Sequence, residues 1–279
     1  MKKLVLVPLY LLATIVVSSC MPAGDPITET FSTQIEETWT LDIELSSSDL
    51  IIIVEDRDDL TMTYETFENG PEIKLREGKT LRVVESNDWP FFISFDQSPR
   101  LTLYLPIDFN ETIKIDTSSG DVDASELLLS QLDIHLSSGD ITIDDTQVND
   151  LALDLSSGDV DLTHVVTEFL TIKTSSGDVT LNHIEGEVSG RSSSGDVSVT
   201  LADLSNDFAY DLSSGDFDMS ILKSPQDMDL NASCSSGDVE VDFDLDDYDR
   251  DEDNKIIGRI GPGTYDLDIH TSSGDIEIY

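Results

Sequence analysis

The tetrapeptide Ser-Ser-Gly-Asp recurs along this chain at a nearly constant interval, and no other feature restricts the fold so strongly. Its glycine stands at Gly120, Gly139, Gly158, Gly177, Gly195, Gly215, Gly237 and Gly274, at intervals of 19, 19, 19, 18, 20, 22 and 37 residues. A fixed period of this length marks a repeat architecture in which units stack on one another. The last interval is close to two units, so it reads as one unit plus an insertion.

Aligning the units on the glycine turns the sequence into columns. Seven residues before it stand Ile113, Leu132, Leu151, Leu170, Val188, Phe208, Leu230 and Leu267; two after it stand Val122, Ile141, Val160, Val179, Val197, Phe217, Val239 and Ile276. The columns five before and four after are also apolar, apart from Gly190 in the first of them. Alternation with period two describes strands with one buried face. Inward positions are odd before the glycine and even after it, which a straight strand cannot accommodate. A corner is therefore expected at each glycine, where a residue free to adopt positive φ absorbs the change of phase. These features predict an all-β fold: a single-stranded parallel β-solenoid, or β-helix, with coils of about 19 residues, each pairing in parallel with the next at ~4.8 Å.

The same parity predicts that Ser138, Ser157 and Ser176, just before their glycines, point inward as a hydroxyl ladder, and that the preceding serine faces water. Four residues before the glycine, Asp154 and Lys173, and Arg191 and Asp211, are placed to pair between adjacent coils. Eight copies of one serine pair read as turn chemistry rather than as a nucleophile.

An aspartate follows every turn glycine: Asp121, Asp140, Asp159, Asp178, Asp196, Asp216, Asp238 and Asp275. Stacked carboxylates ~4.8 Å apart repel by ~1 kcal/mol per pair in water, and by more near an apolar surface. Two arrangements offset this. Each carboxylate accepts backbone N–H bonds at its own corner, or calcium bridges the ladder with help from Asp123, Asp161, Asp218, Glu240 and Glu277. Six residues after the glycine, four successive coils supply Glu126, Asp145, His164 and His183, a line that could hold zinc or a similar ion and otherwise consists of exposed loop residues. The segment 244–254 has acids at EF-hand spacing but lacks the glycine and the closing glutamate, so it reads as a solvated acidic insertion.

The first 110 residues are less regular. Residues 1–19 have the basic start, apolar run and small residues of a secretory signal, and Val17-Ser18-Ser19-Cys20 resembles a lipobox, with Cys20 as the lipidated residue and 20–27 as a tether. Lipidation would anchor the chain to a membrane. Only Cys234 remains as a second cysteine, so no internal disulfide is expected once Cys20 carries lipid. Residues 28–110 read as a degenerate first coil, with Ser48 in place of the glycine, followed by capping hairpins with Trp89, Phe91 and Phe92 as their core. Residues 111–279 form the solenoid. A net charge of −43 over 279 residues disfavours nucleic acid and anionic headgroups and favours cations and basic partners.

The stretches "LTLYLPIDFNETIKIDTSSGDVDA" and "GPGTYDLDIHTSSGDIEI", with the serial "SSGDV", resemble the putative adhesin family of bacterial envelope proteins, a domain of unknown function. The resemblance covers roughly residues 40–279 and implies a β-solenoid in the envelope or on the cell surface, with no proven activity. The expected role is therefore non-catalytic: a lipid-anchored, extracytoplasmic scaffold or adhesin that presents an acidic surface to a protein or glycan ligand. The alternatives are an accessory partner in envelope stress signalling and a carbohydrate-active β-helix enzyme. The uniform spacing of the acids argues against the enzyme, because any pair of them would meet a glycosidase separation by chance.

Overall fold

The computed structural model describes residues 25–34, 40–68, 70–76, 78–86, 98–250 and 254–279. The signal, Cys20, Trp89, Phe91 and Phe92 lie outside the described residues. The described residues form one 23-stranded, mostly parallel, open sheet. Among them no helix is long and apolar enough to cross a membrane.

The apolar columns are files in space. Before the corner, Ile113 pairs with Leu132, then Leu151, Leu170, Val188 and Phe208 in turn. After it, Val122 pairs with Ile141, then Val160, Val179, Val197 and Phe217. These side chains are almost completely buried and belong to one continuous core. A repeat of this kind gains stability from its neighbours, since each coil alone could not bury its apolar face.

The corner requires glycine twice over. Gly158 has φ +120°, and a Cβ there would lie 1.8 Å from the carbonyl oxygen of Gly139 in the adjacent coil. The inward parity, however, stops two residues earlier than the sequence suggests. Leu136, Leu155 and Thr174 are the last buried side chains before the turn, and Ser138, Ser157 and Ser176 are exposed. The chain begins to bend after the −3 position, so the strand rule no longer governs the serines. These three serines therefore form no inward hydroxyl ladder. Arg191 and Asp211 do pair between coils, at 3.4 Å.

The order of the coils departs from the sequence at both ends. The last coil does not follow the Gly237 coil but lies inside it: Phe208 pairs with Leu267, and Leu267 with Leu230, while Ile276 sits between Phe217 and Val239. The 37-residue interval is the path of this return. After Met228–Cys234 the chain completes its coil with Val239–Val241, forms Asp247–Arg250, and returns as Lys255–Ile260, which lies antiparallel along the outer edge of Met228–Cys234 with Asp247–Arg250 beyond it, before re-entering the stack. The N-terminal end has the same design. Thr40–Leu45 lies between Thr80–Glu85 and Thr112–Ser119, and Asp49–Glu55 lies between Arg100–Pro106 and Val122–Ser125. Antiparallel strands Ile73–Arg76, Asp59–Phe67 and Pro26–Gln34 lie outside this outermost coil. The coil expected to come first is thus the second layer.

Gly190, the exception in its column, is explained by the coil beside it. Tyr210 fills that space, and a Cβ on Gly190 would lie 1.9 Å from its ring. The phenol bonds Ser192 Oγ at 2.8 Å, and Thr174 Oγ1 donates to the same oxygen at 2.9 Å. The buried hydroxyls therefore satisfy one another, as burial demands. Burial pushes the Tyr210 phenol up to about 12, with the Ser192 bond acting the other way. Gly190→Ala should destabilise the fold by about 1–3 kcal/mol through overpacking, measured as a lower urea midpoint at unchanged slope.

Candidate functional site

The aspartates after the glycines form one continuous ladder, but their donors are not those of their own corner. The backbone N–H of each aspartate donates to Oδ1 of the aspartate in the neighbouring coil: Asp140 to Asp121 at 3.0 Å, Asp159 to Asp140 at 2.8 Å and Asp178 to Asp159 at 2.8 Å. Asp196 donates to Asp178, Asp216 to Asp196 and Asp275 to Asp216, each at 2.9 Å, and Asp238 donates to Asp275 at 2.8 Å. Asp49 opens the ladder by accepting from Asp121 at 3.3 Å. Asp49 follows Ser48, the residue that stands in the glycine's place, so the same offset reaches it although the missing glycine kept it out of the aspartate column. A bond to an ionised acceptor contributes about 1.5–3 kcal/mol, enough to offset ~1 kcal/mol of repulsion between exposed neighbours.

Two aspartates beside the ladder record the remaining charge density. Partial burial, then the charges of Asp121 and Asp49, raises the Asp123 carboxyl above its ordinary 3.8. Burial, then Asp216 and Asp196, does the same for Asp218. Elsewhere Asp59 is lowered, first by the hydroxyl of Ser32 and then by Arg57, and Asp227 is lowered by bonds from Thr264. Raised groups bind protons more tightly folded than unfolded, so their penalty at neutral pH fades as pH falls through their folded values towards 3.8. The lowered groups contribute stability above 3.8 that is lost below it. Thermal stability should therefore rise on acidification from neutrality to just above about pH 4, then fall. A Tm that drops between pH 7 and 5 would refute this.

The column six residues past the glycine marks a second corner. Glu126, Asp145, His164 and His183 all have left-handed backbones, with φ of 58°, 48°, 53° and 55°. Asp and His tolerate this region better than most residues. His164 Nδ1 lies 3.2 Å from Asp145 Oδ1, and the His164 and His183 rings are 5.1 Å apart between centroids, tilted by 40°. Both imidazoles border a cavity of about 370 Å³ together with Val166, Ile184, Glu185 and Asp203. Among the described residues, no three His, Cys, Asp or Glu side chains converge as a metal cage would require.

Sequence reasoning missed Glu85. The residue is 4% exposed, and its carboxylate accepts from the backbone N–H of Ser46 at 2.7 Å and of Ser47 at 3.1 Å, and from the Ser47 hydroxyl at 3.2 Å. In the regular coils a carbonyl of the neighbouring coil fills this role, as Leu136 does for Ser156. Nothing in the repeat points to it, because it lies in the irregular segment. It also borders a groove of about 550 Å³ with Glu44, Asp116, His135 and Asp154. Glu85→Ala should cost about 2–4 kcal/mol by orphaning those donors, and Glu85→Gln less, read from chemical denaturation.

Stacked coils, an open sheet and a backbone-bound carboxylate ladder define a β-solenoid-like repeat protein. The family is specific: the chain belongs to the Toastrack DUF4097 family, whose profile matches residues 39–279. Among solved structures it is similar to a putative adhesin from Bacteroides fragilis NCTC 9343, at 14% identity and TM-score 0.51, over 92% of this chain and 99% of that one. It is also similar to a putative cell adhesion protein from Clostridium sporogenes ATCC 15579, at 12% identity and TM-score 0.30, over 91% and 99% of the two chains. A third is a putative lipid binding protein from Parabacteroides distasonis ATCC 8503, at 10% identity and TM-score 0.33, over 92% and 97%. No curated protein matches it in sequence.

Proposed function

We propose that this protein is a non-catalytic scaffold or adhesin of the bacterial envelope, anchored through lipid on Cys20 and presenting a rigid acidic surface to a protein or glycan ligand. The observation that carries the reading is the ladder. Its carboxylates accept bonds from the backbone of the neighbouring coil, so they hold the stack together, whereas a catalytic pair would break the repeat at one place. The family resemblance to envelope proteins and the net charge of −43 support a location outside the cytoplasm and a partner bearing positive charge. The outlying antiparallel strands act as caps that protect the outermost parallel coils from edge-to-edge association. Cell fractionation with surface labelling tests the location, and mass spectrometry of the mature N-terminus tests the lipid. Recovery in the cytoplasm with an unmodified Cys20 overturns the reading.

Calcium on the ladder is a second reading, favoured by the unbroken file of carboxylates from Asp121 to Asp216, whose charges act, after burial, on Asp123 and Asp218 beside it. Melting in millimolar calcium and in magnesium at equal ionic strength separates the two. A shift specific to calcium assigns the ladder to the ion; equal curves leave it to the backbone.

A further inference from the structure

We propose that His164 and His183 form a two-histidine site for a divalent transition metal ion of the zinc class. The second corner, left-handed at Glu126, Asp145, His164 and His183 alike, stacks the two imidazoles in adjacent coils. It brings both rings to the border of one cavity.

The spacing fits a metal. Two imidazoles on one tetrahedral zinc, with Zn–N of about 2.0–2.1 Å, hold their ring centres about 5 Å apart; the observed separation is 5.1 Å. Imidazole nitrogen suits zinc, copper and nickel, whereas calcium and magnesium require oxygen. Asp145, 3.2 Å from His164 Nδ1, supplies the outer carboxylate that commonly fixes the tautomer of a metal-bound histidine, leaving Nε2 for the ion. Glu185 and Asp203 border the same cavity and make it attractive to a cation. Because no third protein ligand converges among the described residues, water completes the coordination, and the ion is held exchangeably rather than as a structural core.

The test is isothermal titration of the full chain with zinc, in excess magnesium to occupy loose carboxylate sites. The chain has four histidines, so the other two provide the control. One zinc equivalent should bind, with affinity reduced at least about tenfold in H164N/H183N and unchanged in H135N/H270N. Asparagine is chosen because it tolerates the left-handed backbone, and unaltered circular dichroism confirms folding. Asp145→Asn should weaken binding by about 10–100-fold, as losses of outer partners do. Equal zinc affinity in H164N/H183N, or complete displacement by magnesium, overturns the proposal.

Discussion

Removing residues 264–279 should unfold far more than the segment deleted. In a solenoid stacked in sequence order, losing the last coil costs one interface. Here the last coil is an inner layer, with Phe208 and Tyr210 on one side and Leu230 and Ala232 on the other. Leu267, Ile269, Ile276 and Ile278 are fully buried, and each such side chain contributes about 1.5–3 kcal/mol. The loss is on the order of 10 kcal/mol, comparable with the whole stability of an ordinary domain. Coupling between neighbouring coils is local, so the damage should spread to the strands on either side before reaching the centre. Hydrogen exchange should show protection lost at Phe208–Leu212 and Met228–Cys234 and retained at Ile141–Leu155. Full protection of Met228–Cys234 in the truncated chain would show that the intercalated order is wrong.

Gly158→Ala should be the most damaging single methyl addition in the central coils, at about 3–5 kcal/mol. One part is conformational, because φ +120° lies where side chains are strained by 1–3 kcal/mol. The other is steric. The new Cβ meets the Gly139 carbonyl at 1.8 Å, and backbone cannot move aside as a flexible side chain could, so overpacking adds a similar amount. Separating the coils to relieve the clash would also stretch the bond from the Asp159 N–H to Asp140 Oδ1. Ser157→Ala, one residue earlier and exposed, should be nearly neutral. Denaturation midpoints of the two variants check this contrast, and similar losses for both would show that the corner tolerates a side chain.

Part of the candidate site could be read in the letters alone. Asp121 to Asp216 form a file because they share one offset from a glycine, and His164 and His183 meet for the same reason. That the ladder aspartates bond to the neighbouring coil's backbone could not be read, because the direction of a side chain past a corner is not fixed by alternation. The serines fail on the same ground. Glu85 was invisible because its partners, Ser46 and Ser47, are about 40 residues away and belong to no repeating pattern.

The sequence by itself determined the period, the position of the corner and the identity of the buried files, since these follow from alternation and from the backbone that only glycine permits. Only the tertiary structure decided which coil lies on which. Every unit presents nearly the same inward column, so Leu267 fits beside Phe208 as well as Leu230 would, and the pattern cannot rank the two. The choice rests on long-range packing: the hairpin of Lys255–Ile260 covers the outer edge of the Gly237 coil, and the chain end fills the place left inside.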